Sequence, residues 1–208
     1  STWLVDADHP VGDGKTVRAP NGVVLDGIEY WNVGRALYDP ARSGAGFLYL
    51  TQDLQTTRDT WSLLRAIGRT GPRLSTSGSE ILQDISAGRA LFAYNMNGAY
   101  ALDRQAADPA IGVIFPRDYT LVMSRIALIP REARHPSAAR VFLDYLLSAR
   151  GQRLVAGLRM TPVRSGISVS GPRPEEDSLR AIHIGPALLA NMDQLKRARL
   201  LRELNSAL

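Results

Sequence analysis

The 208-residue chain contains no cysteine, which excludes disulfides, thiol nucleophiles and cysteine-type zinc sites. Histidine is scarce as well. His9, His135 and His183 lie far apart without ligand-like spacing, so no metal site is expected. No apolar run approaches the roughly 20 residues that span a bilayer. The first residues, STWLVDADHPVGDGK, lack the basic start and apolar centre of a signal peptide; if the protein is exported, its signal is expected to be gone from this chain. A nucleophile elbow of the G-x-S-x-G type is missing, and nothing pairs two carboxylates for acid–base work. No catalytic residue is therefore assigned, no cofactor is expected, and the chain is not read as an enzyme.

What is present is a soluble-type composition, 45% hydrophobic and 22% charged, in a chain long enough to bury a core. The net charge of +5 is carried mostly by arginine, much of it after residue 124. Such a surface suits a solvated face or an anionic small ligand. A nucleic-acid partner is not expected, and steep loss of binding with salt would be its mark.

Along the chain, residues 1–34 read as extended pieces, Gly22–Ile28 and Tyr30–Val33, among loops. From residue 35 the pattern alternates. Arg35–Tyr38 reads as a strand and Ser43 to about Leu54 as a helix. A second helix follows Thr57 or Asp59, and a third follows Ser77 or Ser79 and ends at Gly88. Ala90–Tyr94 reads as a strand, Asn97 opens a short helix, and Ile111–Phe115 and Ser124–Ile129 read as strands. After Pro130 the pattern turns helical. Ser137–Leu147 is followed by a second helical piece, an irregular stretch over 161–180, and a last helix from about Pro186 to Leu204 with Leu188, Leu189, Met192 and Leu195 inward. The organisation expected is an N-terminal segment 1–34, an α/β ligand-binding lobe 35–130 with a mixed sheet flanked by helices, and a helical C-terminal region 131–208 that packs on the lobe or hinge.

Three motifs carry candidate chemistry. In DPARSGAGFLYL, Ser43, Gly44, Ala45 and Gly46 precede an apolar run. Ser43 can cap a helix, and the glycines allow a sharp turn and a close ligand approach. A helix start offers free N–H groups and partial positive charge to an anion. This turn is not a dinucleotide fingerprint, because position 49 is Tyr, and it is not a phosphate loop, because no Gly-Lys-Ser/Thr follows it. In YNMNGAY, Asn97 and Gly98 stand where a strand passes into a helix; Asn97 can cap that helix or present its amide to a ligand. In PRDYTLVMSR, Asp118 can accept from a ligand amine or hydroxyl and is followed by Tyr119, and Arg125 can pair with a carboxylate or phosphate.

Taken in order, DPARSGAGFLYL, SGSEILQDISAGRALFAYNMNGAYAL and FPRDYTLVMSRIALIPREARHPSAARVFLDYLLSARGQRLVA resemble the second lobe and C-terminal part of bacterial periplasmic solute-binding proteins of the type 2 class. The likeness covers roughly residues 35–157 and is nearest to the branch of ferric-iron, thiamine, polyamine and phosphonate binders. It implies two α/β lobes that close on a small solute and deliver it to an ABC permease in the inner membrane. It also implies ligand-binding positions at Ser43, Gly44, Ala45 and Gly46 and at Asn97 and Gly98, with Asp118 and Tyr119 where the chain returns toward the hinge. Ferric-binding members carry paired tyrosines after the strand matching Ala90–Tyr94. This chain has Asn97-Gly98-Ala99 there, which turns the expectation to a small anionic organic or phosphorus-containing solute. Only about 34 residues precede the match, so the first lobe is expected to be rudimentary or missing. Apolar surface left uncovered on the final helix would then favour self-association.

Overall fold

The computed structural model describes residues 35–208 and, before them, the backbone of three short strands. Those strands are β1 (Trp3–Asp6), β2 (Thr16–Arg18) and β3 (Val24–Asp26); Tyr30–Val33 and most of Gly22–Ile28 lie outside the described residues. The described residues divide into two compact units, one within 1–122 together with 174–208, the other 123–173. The C-terminal stretch from 131 is thus shared between the units.

In the larger unit β4 (Arg35–Tyr38), β5 (Arg73–Ser75), β6 (Phe92–Ala93) and β7 (Ile111–Ile114) build a five-stranded sheet with β1, in the order β5-β4-β6-β1-β7. β4 pairs parallel with both β5 and β6, and β1 runs antiparallel between β6 and β7. β2 pairs with β3 in a separate ribbon, and β8 (Thr120–Val122) pairs parallel with β9 (Leu179–Ala181).

Strand alternation sends side chains to two helical layers. Ala36 and Ala93 join Ile81, Ile85, Met96, Ala101 and Ile111 beneath α3 (Gly78–Ser86) and α4 (Gly98–Ala107). Their neighbours Leu37 and Phe92 point the other way, to Ile67 and Tyr94. That second face is covered by α1 (Gly44–Thr56), α2 (Thr60–Gly68) and α8 (Gln194–Ala207), whose Leu50, Leu64 and Leu204 form a further cluster. The result is the mixed α/β sheet flanked by helices that the sequence pattern implies.

Several elements differ from the sequence reading. Ser124–Ile129 is not a strand; Ile126 is 65% and Leu128 71% exposed, so its alternating pattern has no sheet to join among the described residues. β1 and β5 went unread because each is only three or four residues long, too short for periodicity to register. The last helix is two: α7 (Pro186–Ala190) stops, and Asp193 caps α8 by accepting from the Lys196 N–H at 3.0 Å. This break resets the helical phase. Leu189, Met192 and Leu195 are exposed rather than inward, and Leu204 is the buried one, with Leu200 and Leu201 packed beside it.

The smaller unit contains α5 (Pro136–Leu147) and α6 (Ala149–Gly157). Ser148 caps α6 through the Gly151 N–H at 3.1 Å. A β-carbon at Gly151 would lie 2.2 Å from the Tyr145 carbonyl oxygen, so only glycine fits this junction. Buried Gln152 ties the unit internally: its amide donates to the Leu146 carbonyl and accepts from the Val163 N–H. No residue of α5 is buried, and Val141, Phe142, Leu154 and Leu158 are exposed.

Candidate functional site

Because β4, β5 and β6 are parallel, their carboxyl ends open on one edge of the sheet, and each is followed by a helix start there. After β4 the chain turns at Asp39-Pro40, with the Asp39 carboxylate accepting from the Ala41 N–H at 2.9 Å. Ser43 then caps α1, its hydroxyl accepting from the Gly46 N–H at 3.2 Å. After β5, the Ser77 hydroxyl accepts from the Glu80 N–H at 3.3 Å while the Glu80 carboxylate accepts from the Thr76 N–H at 3.1 Å. This reciprocal arrangement is a variant of the capping box. After β6, the Asn97 side-chain oxygen accepts from the N–H groups of Ala99 and Tyr100 at 3.1 and 3.3 Å. Each helix start brings N–H groups without intrahelical acceptors and partial positive charge to the same rim.

Tyr38, the last residue of β4, sets the spacing of these starts. A β-carbon at Gly46 would sit 2.6 Å from the Tyr38 β-carbon. One at Gly78 would sit 2.6 Å from the Tyr38 hydroxyl and 3.4 Å from the Met96 methyl. Glycine at both positions thus lets α1 and α3 close against the two ends of one side chain. Burial pushes the Tyr38 phenol up to about 12, helped by the nearby Tyr49 and Tyr100, so it stays neutral and does not oppose an anion.

The expected site residues are placed as follows. Ser43 and Gly46 are buried, Gly44 is exposed and faces open space, and Ala45 is half-buried. Asn97 and Gly98 are half-buried at the end of the adjacent strand. The structure therefore brings Ser43–Gly46 and Asn97–Gly98 to one sheet edge. Asp118 and Tyr119 precede β8, which belongs to a different sheet. Asp118 is exposed, whereas Tyr119 turns inward and donates its hydroxyl to the Asp53 carboxylate at 2.8 Å.

Two contributors to the rim were missed from sequence. Thr76, Ser77 and Gly78 were seen only as a helix start, although the Ser-x-x-Glu spacing marked their cap. The second is Arg197, in the first turn of α8. It donates to the Ala41 carbonyl at 2.9 Å and stacks over the Phe47 ring at 5.1 Å, which brings its charge to the start of α1. No local signal could have placed it, since 156 residues separate it from Ala41.

Beneath the rim lies a buried polar cluster. Asp53, in the third turn of α1 and fully buried, accepts from the Tyr94 hydroxyl at 2.7 Å, from the Asn95 amide and from Tyr119. Burial pushes the Asp53 carboxyl up, and the hydrogen bonds from Tyr94, Tyr119 and Asn95 oppose that shift. Burial and the Asp53 charge hold the Tyr119 phenol far above its ordinary value.

Chemically, the rim can hold a small anion by N–H groups, hydroxyls and a guanidinium. A cavity of about 30 Å³ between Tyr38, Tyr49, Tyr94 and Asn95 has room for about one or two waters and is too small for an organic solute. Among the described residues no three metal-ligating side chains converge, and no helix is long and apolar enough to cross a membrane.

No curated protein matches the chain. Among solved structures, the substrate-binding protein of an ABC transporter from Agrobacterium tumefaciens aligns with a TM-score of 0.80 at 29% identity, over 99% of this chain and 63% of that one. A two-component system protein that mediates signal transduction aligns with a TM-score of 0.65 at 15% identity, over 96% of this chain and 66% of that one. A periplasmic thiamin-binding protein aligns with a TM-score of 0.52 at 13% identity, over 99% and 63%. The chain thus spans slightly under two thirds of the length of these structures. A family model for bacterial extracellular solute-binding proteins matches residues 25–177, about three quarters of the chain, and the chain belongs to that family.

Proposed function

We propose that this chain provides the ligand-binding lobe for a small anionic organic or phosphorus-containing solute, which it binds in the periplasm without chemical change for an ABC permease in the inner membrane. The observation that carries the reading is the meeting of three capped helix starts on one sheet edge beside Arg197. At the start of α1 the N–H groups of Gly44 and Ala45 face the solute, with Ser43 and Gly46 shaping the turn through their own hydrogen bond, and at the start of α4 Gly98 offers its N–H beside the Asn97 cap. The exposed Asp118 suits an amine or hydroxyl elsewhere on the same solute. Tyr119 contributes from behind, through Asp53. The family and the Agrobacterium structure support the import role.

Thermal unfolding with inorganic phosphate, phosphonates, carboxylates and sulfonates, and with polyamines as the cationic contrast, tests this. A bound anion at about a hundred times its Kd raises Tm by about 5–10 °C. Asn97→Asp keeps a good helix cap but adds a negative charge at the rim. It is expected to unfold at the wild-type temperature in the absence of ligand and to lose the anion-induced rise. No rise with any anion, or an undiminished rise in Asn97→Asp, would overturn the reading.

A sensory or regulatory module signalling to a membrane partner is the second reading, favoured by the likeness to the two-component system protein. Permease and ATPase genes beside the coding gene support import, and sensor-kinase genes support signalling. Self-association is proposed as well, on the strength of the exposed Leu189, Met192 and Leu195 around the start of α8.

A further inference from the structure

Two local costs meet at one place under the rim. A carboxylate, Asp53, sits on the inward face of α1 among Leu50, Phe47 and Tyr49, where an apolar side chain would be cheaper to bury. Asn95, two residues past the end of β6, adopts a left-handed backbone with φ 66°. This conformation is disfavoured for any residue but glycine, and asparagine tolerates it best of the rest. The two residues are bonded to each other although 42 positions separate them. Departures from local preference that pair up in this way mark positions where geometry matters more than stability.

The consequence of the left-handed turn is directional. Asn95 redirects the chain between the end of β6 and the Asn97 cap of α4, with only Met96 in between. Met96 is itself buried against Ile81 and Ala101, so the turn has little freedom once Asn95 is held. Asp53 reaches further. One carboxylate oxygen accepts from Tyr94 and Asn95, and the other from Tyr119, the residue before β8. Three stretches distant in sequence are thereby tied to the body of α1, whose own start forms another part of the rim.

We propose that Asp53 and Asn95 form a latch that fixes the start of α4 against the start of α1, with Asp53 as a positioning residue for the anion bound between them. The proposal rests on the anion-binding reading above for its effect on affinity, and on the geometry of the turn alone for its effect on rigidity. Neither side chain touches the solute. The amide of Asn95 and the hydroxyls of Tyr94 and Tyr119 are consumed by the carboxylate, and displacement of the Gly98 N–H and of the positive end of α4 that the Asn97 cap orders is what costs binding.

The test uses the full chain with Asn95→Gly, Asp53→Asn and the exchanged pair Asp53→Asn/Asn95→Asp, and two readouts. One is the affinity for inorganic phosphate by calorimetry. The other is amide hydrogen exchange at Ala99 and Tyr100 relative to Ile85 in α3, which corrects for any change in overall stability. Glycine accepts the positive φ without strain, so Asn95→Gly is expected to remain folded while lacking the bond to Asp53. Its phosphate affinity should fall about tenfold, and exchange at Ala99 and Tyr100 should quicken against Ile85. Asp53→Asn should behave alike. The exchanged pair restores an amide–carboxylate bond in reverse and should recover both readouts. Wild-type affinity and wild-type relative exchange in folded Asn95→Gly would overturn the latch. If the wild type binds no phosphate, the anion reading fails at this probe and exchange alone decides the latch: quickened exchange supports it, unchanged exchange overturns it.

Discussion

At the scale of single residues, Asp53 shows how a site can depend on a side chain that never reaches it. Burial pushes its carboxyl up, so the folded protein holds this proton to a higher pH than the unfolded chain does. The contribution of Asp53 to stability is therefore full below the ordinary aspartate range and is lost as pH rises through its raised value. Asp53→Asn has no such titration. The stability of the wild type relative to this variant should decline as pH is raised from acid toward the raised value, and then level off; urea unfolding at several pH values measures it. A difference that grows with pH would show that the hydrogen bonds from Tyr94, Tyr119 and Asn95 outweigh burial. The family resemblance puts Tyr119 among the ligand-binding positions, and the fold adds its buried partner, Asp53.

Among the elements, glycine positions separate packing from binding. Gly68 closes α2 against the end of α8, where a β-carbon would lie 2.1 Å from the Ala207 carbonyl oxygen and 2.7 Å from the Leu208 Cα. Backbone atoms cannot swing aside, so the gain in helix propensity from alanine, about 1 kcal/mol, is outweighed by the clash. Gly68→Ala should cost about 1–3 kcal/mol and lower Tm by about 2–4 °C for each of these, because the Leu50–Leu64–Leu204 cluster is pried open. Gly44, at the first turn of α1, meets nothing within 4 Å. Gly44→Ala should leave Tm unchanged or raise it in thermal unfolding, while the added methyl stands where an anion would approach α1.

For the whole molecule, the exposed apolar surface is distributed over both units. In residues 123–173, Val141, Phe142, Leu154 and Leu158 are exposed beside nine arginines and only two acidic residues, Glu132 and Asp144. In the larger unit Leu195 is 82% exposed. Apolar patches of this kind favour association, whereas the shared positive charge opposes it. Light scattering should therefore show a mass that rises with protein concentration, and rises more steeply when salt screens the arginines. A monomer over a wide concentration range at high salt would refute this.

The sequence by itself was enough for most of the alternation of strands and helices after residue 35, the cap at Ser43, a helix start at Ser77 or Ser79 and another at Asn97, the absence of thiol chemistry and the likeness to solute-binding proteins. These are local matters: a cap is decided within three or four residues, and a helix by a period of 3.6. Only the tertiary structure decided that β1 crosses the sheet against the other strands, that three helix starts share one edge, that Arg197 reaches Ala41, and that Asp53 gathers Tyr94, Asn95 and Tyr119. It also showed that the final helix breaks before Asp193 and buries Leu204 in place of Leu195. The physical reason is common to all of them. Strand order, the choice of buried face and long-range hydrogen bonds follow from which surfaces meet when the chain compacts, and pairs separated by 41 to 156 residues leave no periodicity for a sequence to display.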